Sequence, residues 1–501
     1  MNVMMLSLEE SPSLFYPIMQ EILIDKGHCP EYFHIPINVR VSEDELNNIT
    51  RQLKEHAKDV ELICVSCMTA TFMSFKKISK RLQDLGIPIV MGGVHPTVKP
   101  EESLEYADYV CVGEGEEVLA ELIERLENKK RTDNIKNIWT KKNDKIIKNG
   151  LRKITNDLSK FPVPKFHFEK IFYYHNGIIK NLNKTRNLIN AFYRKYYYIL
   201  TSRGCPYRCK YCLNDCLIKI DKDFARIRRR SNYHIIEELK NIKRFLPKYE
   251  IIGFVDDDFC AQSFENLKVF CERYKKEIDM PFFCASTPTS ITEEKLKILL
   301  EAGMVRLEIG IQSISDFVNK EIYGRYALKN SVIKAVKMLE NYRYKVDICY
   351  DFILDNYWET EETRKESLEF VLSLKKPYTL SLFSLTLYPG TGLYDRAKKE
   401  GKIKDDLKEV YLKNHMLLNN SRINTLFVLY SKYNLPASLV RFFLNNPNIP
   451  IVSKIFERST FFLWRSYNYY VGLKDSLVRK DKEKRDYYLK APLKLIVRVF
   501  K

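Results

Sequence analysis

Short apolar runs alternate with amphipathic stretches over the first 125 residues. Between the runs, segments such as residues 44–58 and 75–85 repeat their apolar positions at helical spacing. Apolar runs separated by helices predict a doubly wound parallel sheet of the flavodoxin type, which we assign to an N-terminal domain at residues 1–126. The predicted strands are residues 3–8, 32–36, 61–66, 88–91 and 109–112.

The alternation resumes after residues 127–195, which we interpret as a linker with a short hairpin at residues 138–148. Six strand–helix units then predict an open, partial α/β barrel, a (β/α)6 domain at residues 196–401. Residues 402–501 are predicted to form a helical C-terminal domain. The barrel strands are expected at residues 197–201, 251–256, 282–286, 305–310, 346–354 and 380–386, and the helices near 233–245, 263–277, 292–302, 331–341 and 361–374.

Loops rich in glycine and small hydroxyl residues follow three strands of the first domain. They read S-C-M-T-A-T at residues 66–71, G-G-V-H-P-T at 92–97 and G-E-G-E at 113–116. Doubly wound sheets bind ligands outside the carboxyl ends of their strands, where these loops are expected. Because glycine lets the backbone approach a ligand closely, the loops favour a large flat or phosphorylated ligand.

Cys205, Cys209 and Cys212 follow the first predicted barrel strand at C-x3-C-x2-C spacing. This spacing can direct three thiolates from one loop toward a common centre, and three soft ligands suit an iron–sulfur cluster. A four-iron cluster held by three protein sulfurs leaves one iron open for chemistry. The cations expected to lower the thiol pKa values and to balance a negative cluster are Arg203, Arg208 and Lys210.

A zinc site and structural cysteines are the alternatives for this motif. Structural zinc usually takes four ligands in two separated pairs. A disulfide scaffold is not expected in a chain of 501 residues that begins with a strand-like stretch rather than a signal peptide. Cys216, four residues beyond Cys212, could serve as a fourth ligand.

The segment S-R-G-C-P-Y-R-C-K-Y-C at residues 202–212 resembles the signature of the radical S-adenosylmethionine (SAM) superfamily. The resemblance implies a [4Fe–4S] cluster whose open iron binds the amino and carboxylate groups of SAM. In that family the second strand ends near the SAM amino group, the fourth strand contacts the nucleoside, and an arginine often follows it. The candidate SAM-binding residues are Tyr211, Asp256, Asp257, Glu308, Gly310, Gln312 and Arg325.

The acidic residues among these candidates have a structural alternative, because carboxylates at strand ends often cap the next helix. Tyr211, just before the last cysteine, is expected near the adenine of SAM because the family places an aromatic residue there.

The glycine loops, taken with the downstream cysteines, resemble the cobalamin-binding domain that precedes the catalytic domain in one large branch of this superfamily. In that branch, G-G-x-H-P-T and G-E-G-E loops recur after the fourth and fifth strands. For His95, a capping or hydrogen-bonding role is favoured over cobalt ligation. The resemblance implies cobalamin as a cofactor, with candidate contacts at Ser66, Thr69, Thr71, Gly92, Gly93, His95, Thr97, Gly113, Glu114, Gly115 and Glu116.

One loop departs from other cobalamin domains, which carry D-x-H-x-x-G after the first strand with a histidine that ligates cobalt from below. Here residues 7–13 read S-L-E-E-S-P-S. Members of the branch commonly lack this histidine and still bind cobalamin, so we expect no protein imidazole below the cobalt. A second cluster is not expected from Cys29, Cys64, Cys67 and Cys111. Cys64 and Cys111 fall inside apolar strands, so we interpret them as buried thiols.

The formal net charge of +19 suggests an acidic partner, such as nucleic acid, an anionic lipid surface or a phosphorylated substrate, or simply a solvated lysine-rich surface. Residues 459–470 and 479–501 mix aromatics with cations, as helices on membrane surfaces do. A helical cap over the open side of the barrel has the same pattern and is favoured. Nucleic acid is not expected, because no RNA-binding module is recognisable. The chain is expected to be cytoplasmic, with membrane association as the alternative.

The resemblance implies that a reducing partner such as a ferredoxin or flavodoxin supplies an electron for SAM cleavage to a 5′-deoxyadenosyl radical. We expect a methyltransferase that modifies an unactivated carbon of a hydrophobic or natural-product small molecule. The alternatives are oxidative cyclisation or rearrangement with the same cofactors, and radical SAM modification of RNA. A non-catalytic cofactor-binding protein would keep the glycine loops but would not need the three cysteines.

Overall fold

The structure of the chain is a computed structural model. It describes residues 1–37, 41–184, 186–193, 196–246 and 251–447, together with Thr460, Ser466, Tyr467 and Tyr470. The aromatic and basic tail predicted at residues 459–470 and 479–501 therefore lies outside the described residues, apart from those four positions.

The first part of the chain forms one sheet. Its strands are β1 (Asn2–Ser7), β2 (Cys29–His34), β3 (Leu62–Ser66), β4 (Ile89–Gly92), β5 (Tyr109–Cys111), β6 (Ile138–Lys142), β7 (Lys145–Lys148), β8 (Ile171–His175) and β9 (Ile178–Asn181). The parallel centre has the order β5-β4-β3-β1-β2, which confirms the doubly wound arrangement. The expected hairpin, β6–β7, extends the edge at β5.

The other edge of this sheet is extended by β8, which pairs with β2, and by β9. Sequence reasoning had left these residues in the linker. Their aromatic side chains pack on the sheet: Phe172 stacks on Phe33 with ring centroids 4.7 Å apart. The domain boundaries remain a prediction.

Helices cover both faces of this sheet, because alternate strand residues are apolar on both sides. The helices are α1 (Tyr16–Asp25), α2 (Glu43–His56), α3 (Thr69–Leu82), α4 (Val94–Val98), α5 (Pro100–Ser103), α6 (Glu116–Glu127) and α7 (Arg186–Tyr193). Met4, Leu6 and Ile63 pack with α2 and α3, whereas Val3 and Met5 pack with α1 and α6.

The second part of the chain is an open barrel. Its strands are β10 (Tyr196–Ile199), β13 (Ile251–Phe254), β14 (Phe282–Ser286), β15 (Met304–Gln312), β16 (Asp347–Leu354) and β17 (Thr379–Ser384), with the small antiparallel pair β11 (Ser202–Arg203) and β12 (Arg228–Arg229) beside them. The six barrel strands are parallel and lie side by side in chain order within the described residues. This confirms the partial barrel.

Local sequence explains where the barrel helices begin, since Ser and Thr cap their amino ends by accepting a backbone N–H bond. The helices are α8 (Leu213–Ile220), α9 (Asn232–Lys243), α10 (Phe264–Glu277), α11 (Glu293–Ala302), α12 (Lys329–Glu340), α13 (Glu361–Ser373), α14 (Gly392–Lys399), α15 (Arg422–Tyr433) and α16 (Ala437–Asn445). The capping residues include Ser231, Ser263, Thr292, Thr360, Thr391 and Ser421.

Helix α15 packs on the barrel. The cap predicted from residues 459–470 and 479–501 stays a prediction, because the structure describes only four of those residues. Phe427 is fully buried and lies 6.2 Å from the ring of Phe352 on β16. Asn424 donates to Asp355 Oδ1 at 2.7 Å, and Lys432 donates to the Leu380 carbonyl at 3.0 Å. Within the described ranges, none of the helices is both long and apolar enough to cross a membrane.

Candidate functional site

The cysteine loop follows β10 and is shaped by a glycine. Gly204 has φ of +93°, and a Cβ built there would lie 2.1 Å from the Arg226 carbonyl oxygen and 2.9 Å from that of Phe224. Only glycine fits this close approach with positive φ. The glycine therefore holds the start of the loop against residues 224–226 and directs Cys205 toward the carboxyl end of the barrel strands.

The three cysteine side chains lie within electrostatic reach of one another. Burial raises the pKa of Cys205 to about 12, and Asp257, Cys212 and Cys209 add to the effect. Burial likewise raises the pKa of Cys212 to about 12. Thiolates at these positions therefore need the charge of a bound metal, which deprotonates its thiol ligands.

The chemistry of this donor set fits an iron–sulfur cluster. Within the described residues, no three His, Cys, Asp or Glu side chains are grouped closely enough to hold one metal ion. In a [4Fe–4S] cluster each thiolate binds a different iron, so three separated thiols in one loop suit the cluster. Cys216, the alternative fourth ligand, is buried on α8 with its Sγ 4.0 Å from the Pro389 carbonyl oxygen.

The cations predicted beside the sulfurs have other partners. Arg203 pairs with Glu116 and Glu114, Arg208 lies 3.4 Å from Asp215, and Lys210 donates to the Glu321 carbonyl at 3.3 Å. The expectation that they lower the thiol pKa values was wrong, because burial dominates. The positive charge that does lower the pKa of Cys209 comes from Arg325, against the larger raising effect of burial.

Arg325 brings several of the candidate SAM-binding residues together. Its guanidinium donates to the Tyr211 hydroxyl at 2.7 Å and to the Gly310 carbonyl at 2.7 Å, and its Nε has no partner among the described residues. Gln312 follows at the end of β15 with φ of +68°, and its Oε1 is also buried without a partner in the described part of the chain. These orphaned polar groups beside the cysteine loop fit a polar ligand such as SAM.

Asp256 and Glu308 each have one carboxylate oxygen bonded to protein partners. The other oxygen of Asp256, Oδ2, is buried without a partner among the described residues, so it can still accept a hydrogen bond from a ligand. Asp256 Oδ1 accepts from the Thr201 amide at 3.1 Å, the Thr201 hydroxyl at 2.9 Å and the Ser202 hydroxyl at 2.5 Å. It therefore anchors the start of the cysteine loop. Glu308 accepts from Arg306 at 3.0 Å.

Asp257 is the acidic candidate that faces the space between the domains. It is exposed and accepts from Asn214 Nδ2 at 2.8 Å. Both residues line a cavity between the glycine loops and the cysteine loop.

A cavity of about 390 Å³, the cofactor cavity, lies between the glycine loops of the first domain and the cysteine loop of the barrel. From the barrel it is lined by Leu200, Ser202, Arg203, Gly204, Asn214, Leu217, Phe224, Arg228 and Asp257. The predicted cobalamin-binding residues on its wall are Ser66, Gly92, Gly93, Thr97, Gly113, Glu114, Gly115 and Glu116. The two ends of the cysteine loop and Asp257 thus face the same space as the predicted cobalamin loops, whereas the three cysteines are not on its wall.

Two of the glycine loops are linked by the hydrogen bonds of one threonine. Thr97 Oγ1 donates to the Gly93 carbonyl at 2.7 Å and accepts the Gly113 amide at 3.0 Å. A Cβ on Gly93, which has φ of +103°, would lie 2.9 Å from the Cys67 carbonyl oxygen. Glycine at this position therefore lets the loop pack against Cys67. Gly92, Gly93, Gly113 and Gly115 lie on the wall of the cofactor cavity, where they can let a broad, flat ligand such as a corrin ring approach the backbone.

Thr69, Thr71 and His95 were predicted to contact cobalamin, but they do not line the cofactor cavity. Thr69 Oγ1 lies 3.3 Å from His95 Nδ1, and Thr71 Oγ1 donates to the Met68 carbonyl at 3.1 Å. His95 is fully buried and stacked 3.9 Å from Phe72, and burial lowers its pKa to about 3. Thr69 and His95 join α3 to α4, which agrees with the favoured hydrogen-bonding role of His95, and Thr71 bonds within the start of α3.

Sequence reasoning missed that Glu114 and Glu116 hold the two domains together. Arg228, on β12, donates to both Glu114 oxygens at 2.7 and 2.9 Å, and Arg203 pairs with Glu116. Burial alone would raise the pKa of Glu114, but the Arg228 hydrogen bond and the charges of Arg203 and Arg228 bring it below its ordinary value. The basic run at residues 226–230 was the available signal.

Two family models match this chain. The model of the radical SAM superfamily matches residues 199–371, and that of the B12 binding domain matches residues 25–123. The chain is therefore a cobalamin-dependent radical SAM enzyme. Its cofactors are a [4Fe–4S] cluster, SAM and cobalamin.

The chain is also similar to individual relatives and to a solved structure. An uncharacterised methyltransferase of Pyrococcus horikoshii is 24% identical, over 68% of this chain and 70% of the relative. The bacteriochlorophyllide d C-8(2)-methyltransferase of Chlorobaculum tepidum is 24% identical, over 81% and 85%. The structure of the cobalamin-dependent enzyme OxsB with aqua-cobalamin and SAM bound shares the fold, with a TM-score of 0.63, 17% identity, and coverage of 99% of this chain and 75% of that one.

Proposed function

We propose that this enzyme transfers a methyl group to an unactivated carbon of a hydrophobic or natural-product small molecule. The observation that carries the proposal is the cofactor cavity, where the cobalamin loops and the cysteine loop line one space. The methyltransferase names of two relatives support the same reaction class. A one-electron donor of the ferredoxin or flavodoxin class would supply the reducing electron.

When bound, the cluster and SAM supply a hydrogen-abstracting 5′-deoxyadenosyl radical, and cobalamin supplies a transferable methyl group. Cys205, Cys209 and Cys212 would hold the cluster, while Arg325 fixes the Tyr211 ring against the end of β15 where the nucleoside of SAM would lie. Asp257 and Asn214 present polar groups to the shared space.

The first domain contributes the other wall of this space. Its glycine loops would bring backbone close to the corrin ring, and apolar residues deeper in the cavity, among them Val90, Val118 and Leu119, exclude water from that side. Exclusion of water protects reactive intermediates from side reactions.

The test is label transfer in reconstituted, anaerobic enzyme. SAM with a ¹³C-labelled methyl group is incubated with enzyme, reductant, and metabolite extract from cells that lack the gene, and products are examined by mass spectrometry. We expect a product heavier by one labelled methylene. Cys209→Ala should abolish both this product and 5′-deoxyadenosine, whereas the matched control Cys216→Ala, outside the cysteine set, should retain both.

Two results would count against the proposal. If 5′-deoxyadenosine forms but no label enters product, methylation is the wrong reaction. If Cys209→Ala forms 5′-deoxyadenosine at an undiminished rate, the radical chemistry itself is wrong.

A further inference from the structure

A second internal space adjoins the cofactor cavity. This aromatic cavity, of about 200 Å³, shares Ser13, Phe15, Tyr16, Tyr32, Leu200 and Arg203 with the cofactor cavity as common wall. Among the residues that the structure describes, its wall includes ten aromatic side chains: Phe15, Tyr16, Tyr32, Phe161, Phe166, Phe192, Tyr193, Tyr196, Tyr197 and Tyr198. Ring faces at such density favour a flat, unsaturated ligand.

The charged residues at this wall are paired within the protein. Arg230 pairs with Glu238, which also accepts from the Tyr197 hydroxyl at 2.6 Å. Arg230 Nε donates to His234 Nδ1 at 2.9 Å, and Arg203 pairs with Glu116. Because an unpaired buried charge is costly, a ligand here should itself be uncharged.

Two polar groups on the wall point to hydrogen bonding with a ligand. Gln20 Nε2 and the Tyr16 hydroxyl are buried, with residue exposures of 1% and 4%, and neither has a partner among the described residues. An amide nitrogen can only donate, and the hydroxyl can donate as well. Water needs two to four polar partners, which a wall made mainly of rings supplies poorly. Both groups therefore favour a ligand that carries acceptor atoms.

We propose that the aromatic cavity binds an uncharged, flat ring system that carries hydrogen-bond acceptors, and that this ring is the non-reacting part of the substrate. This inference rests on the proposed function. A methylated substrate must reach the space between both cofactors, and the aromatic cavity borders that space at Phe15, Tyr16 and Arg203. Gln20 and Tyr16 then determine specificity by donating to the ring's acceptors.

The test compares two probes of similar ring size on full-length enzyme loaded with cluster and cobalamin. 2-Quinolone carries an acceptor carbonyl and naphthalene has none. We expect Gln20→Leu and Tyr16→Phe each to weaken 2-quinolone binding about five- to tenfold, as for one lost hydrogen bond, and naphthalene binding by less than about twofold. Gln83→Leu, an exposed position outside the cavity, is the matched control and should leave both dissociation constants unchanged.

The design separates the possible failures. Equal losses for the two probes, or no 2-quinolone binding to the parent enzyme, would overturn the proposal. It would also be overturned if Gln20→Leu weakened cobalamin binding but not dicyanocobinamide binding, because the cavity would then hold the nucleotide arm that cobinamide lacks. Circular dichroism and 5′-deoxyadenosine formation in each variant show whether fold and radical chemistry persist, so a failed proposed function is distinguishable from a failed ring site.

Discussion

The ion pair between Glu114 and Arg228 offers a sharp test of how the two cofactor domains are held together. In Glu114→Gln the amide keeps one acceptor oxygen but turns its N–H donors toward two arginines. Arg228 would remain in place with 3% of its side chain exposed, while Arg203 keeps Glu116 as a partner. The perturbation therefore falls mainly on the contact between β12 and the G-E-G-E loop.

The expected loss of stability follows from the burial of this ion pair. Removing one partner of a buried ion pair costs about 3–5 kcal/mol. Glu114 is 20% exposed and Arg228 also donates to the Thr155 carbonyl at 3.0 Å, so we expect the lower end, about 3 kcal/mol. Removing both partners in Glu114→Gln/Arg228→Met should cost less than the sum of the single variants by at least about 1 kcal/mol, because the residues contact each other.

The rates of native-state amide hydrogen exchange at β11 and at residues 112–118 measure this loss of free energy, because exchange there requires local opening. A loss of about 3 kcal/mol corresponds to roughly hundredfold faster exchange. Glu114→Gln should also form more 5′-deoxyadenosine per methylated product, since the domains no longer hold their cofactors at one spacing. Glu117→Gln, in the first turn of α6 and 43% exposed, is the control and should change exchange less than about threefold. Additive effects in the double variant would refute the reasoning.

Three further results are expected. Gly204→Ala should prevent cluster assembly, measured as iron content. Gly27 also has a positive φ, +82°, but no neighbour within 4 Å of a built Cβ, so Gly27→Ala should cost only about 1–2 kcal/mol of stability. Similar iron loss in both variants would contradict the clash at Gly204. In Arg325→Lys the planar guanidinium that bridges Tyr211 and the Gly310 carbonyl is lost. The affinity for SAM, measured by equilibrium dialysis, should fall about tenfold while iron is retained. Unchanged affinity would count against a role of Arg325 in SAM binding. Burial raises the pKa of Asp351 from 3.8 to about 7, so its folded form resists ionisation and stability should decline as pH rises between those values. Burial also raises the pKa values of Glu9 and Glu359 to about 7, so Asp351→Asn should reduce the slope of melting temperature against pH without removing it, and an unchanged slope would contradict the assignment.

Much of the candidate site could be predicted because its signals are local. The spacing of Cys205, Cys209 and Cys212 within one loop, and the glycines that follow β4 and β5, are written in short stretches of sequence. Strand ends of a parallel sheet meet at one edge, so topology alone places such loops near one another.

Residues whose roles depend on distant partners could not be predicted in this way. Asp256 was expected at SAM, and the structure adds hydrogen bonds to its Oδ1 from Thr201 and Ser202, 55 and 54 positions away, which anchor the start of the cysteine loop. Glu114 was expected at cobalamin, but its charge is met by Arg228, 114 positions away. Which partner a carboxylate meets is decided by packing and not by neighbouring residues.

The amino-acid sequence by itself determined the two layered domains, the cysteine ligands and the glycine loops, because apolar periodicity and ligand spacing act over a few residues. Only the tertiary structure decided that the ends of the cysteine loop and the glycine loops line one cavity, that Glu114 and Glu116 join the domains, and that aromatic residues from separate segments enclose a second space. Those arrangements arise when surfaces far apart in the chain are buried together, and the pairing of their charges and rings exists only in the folded state.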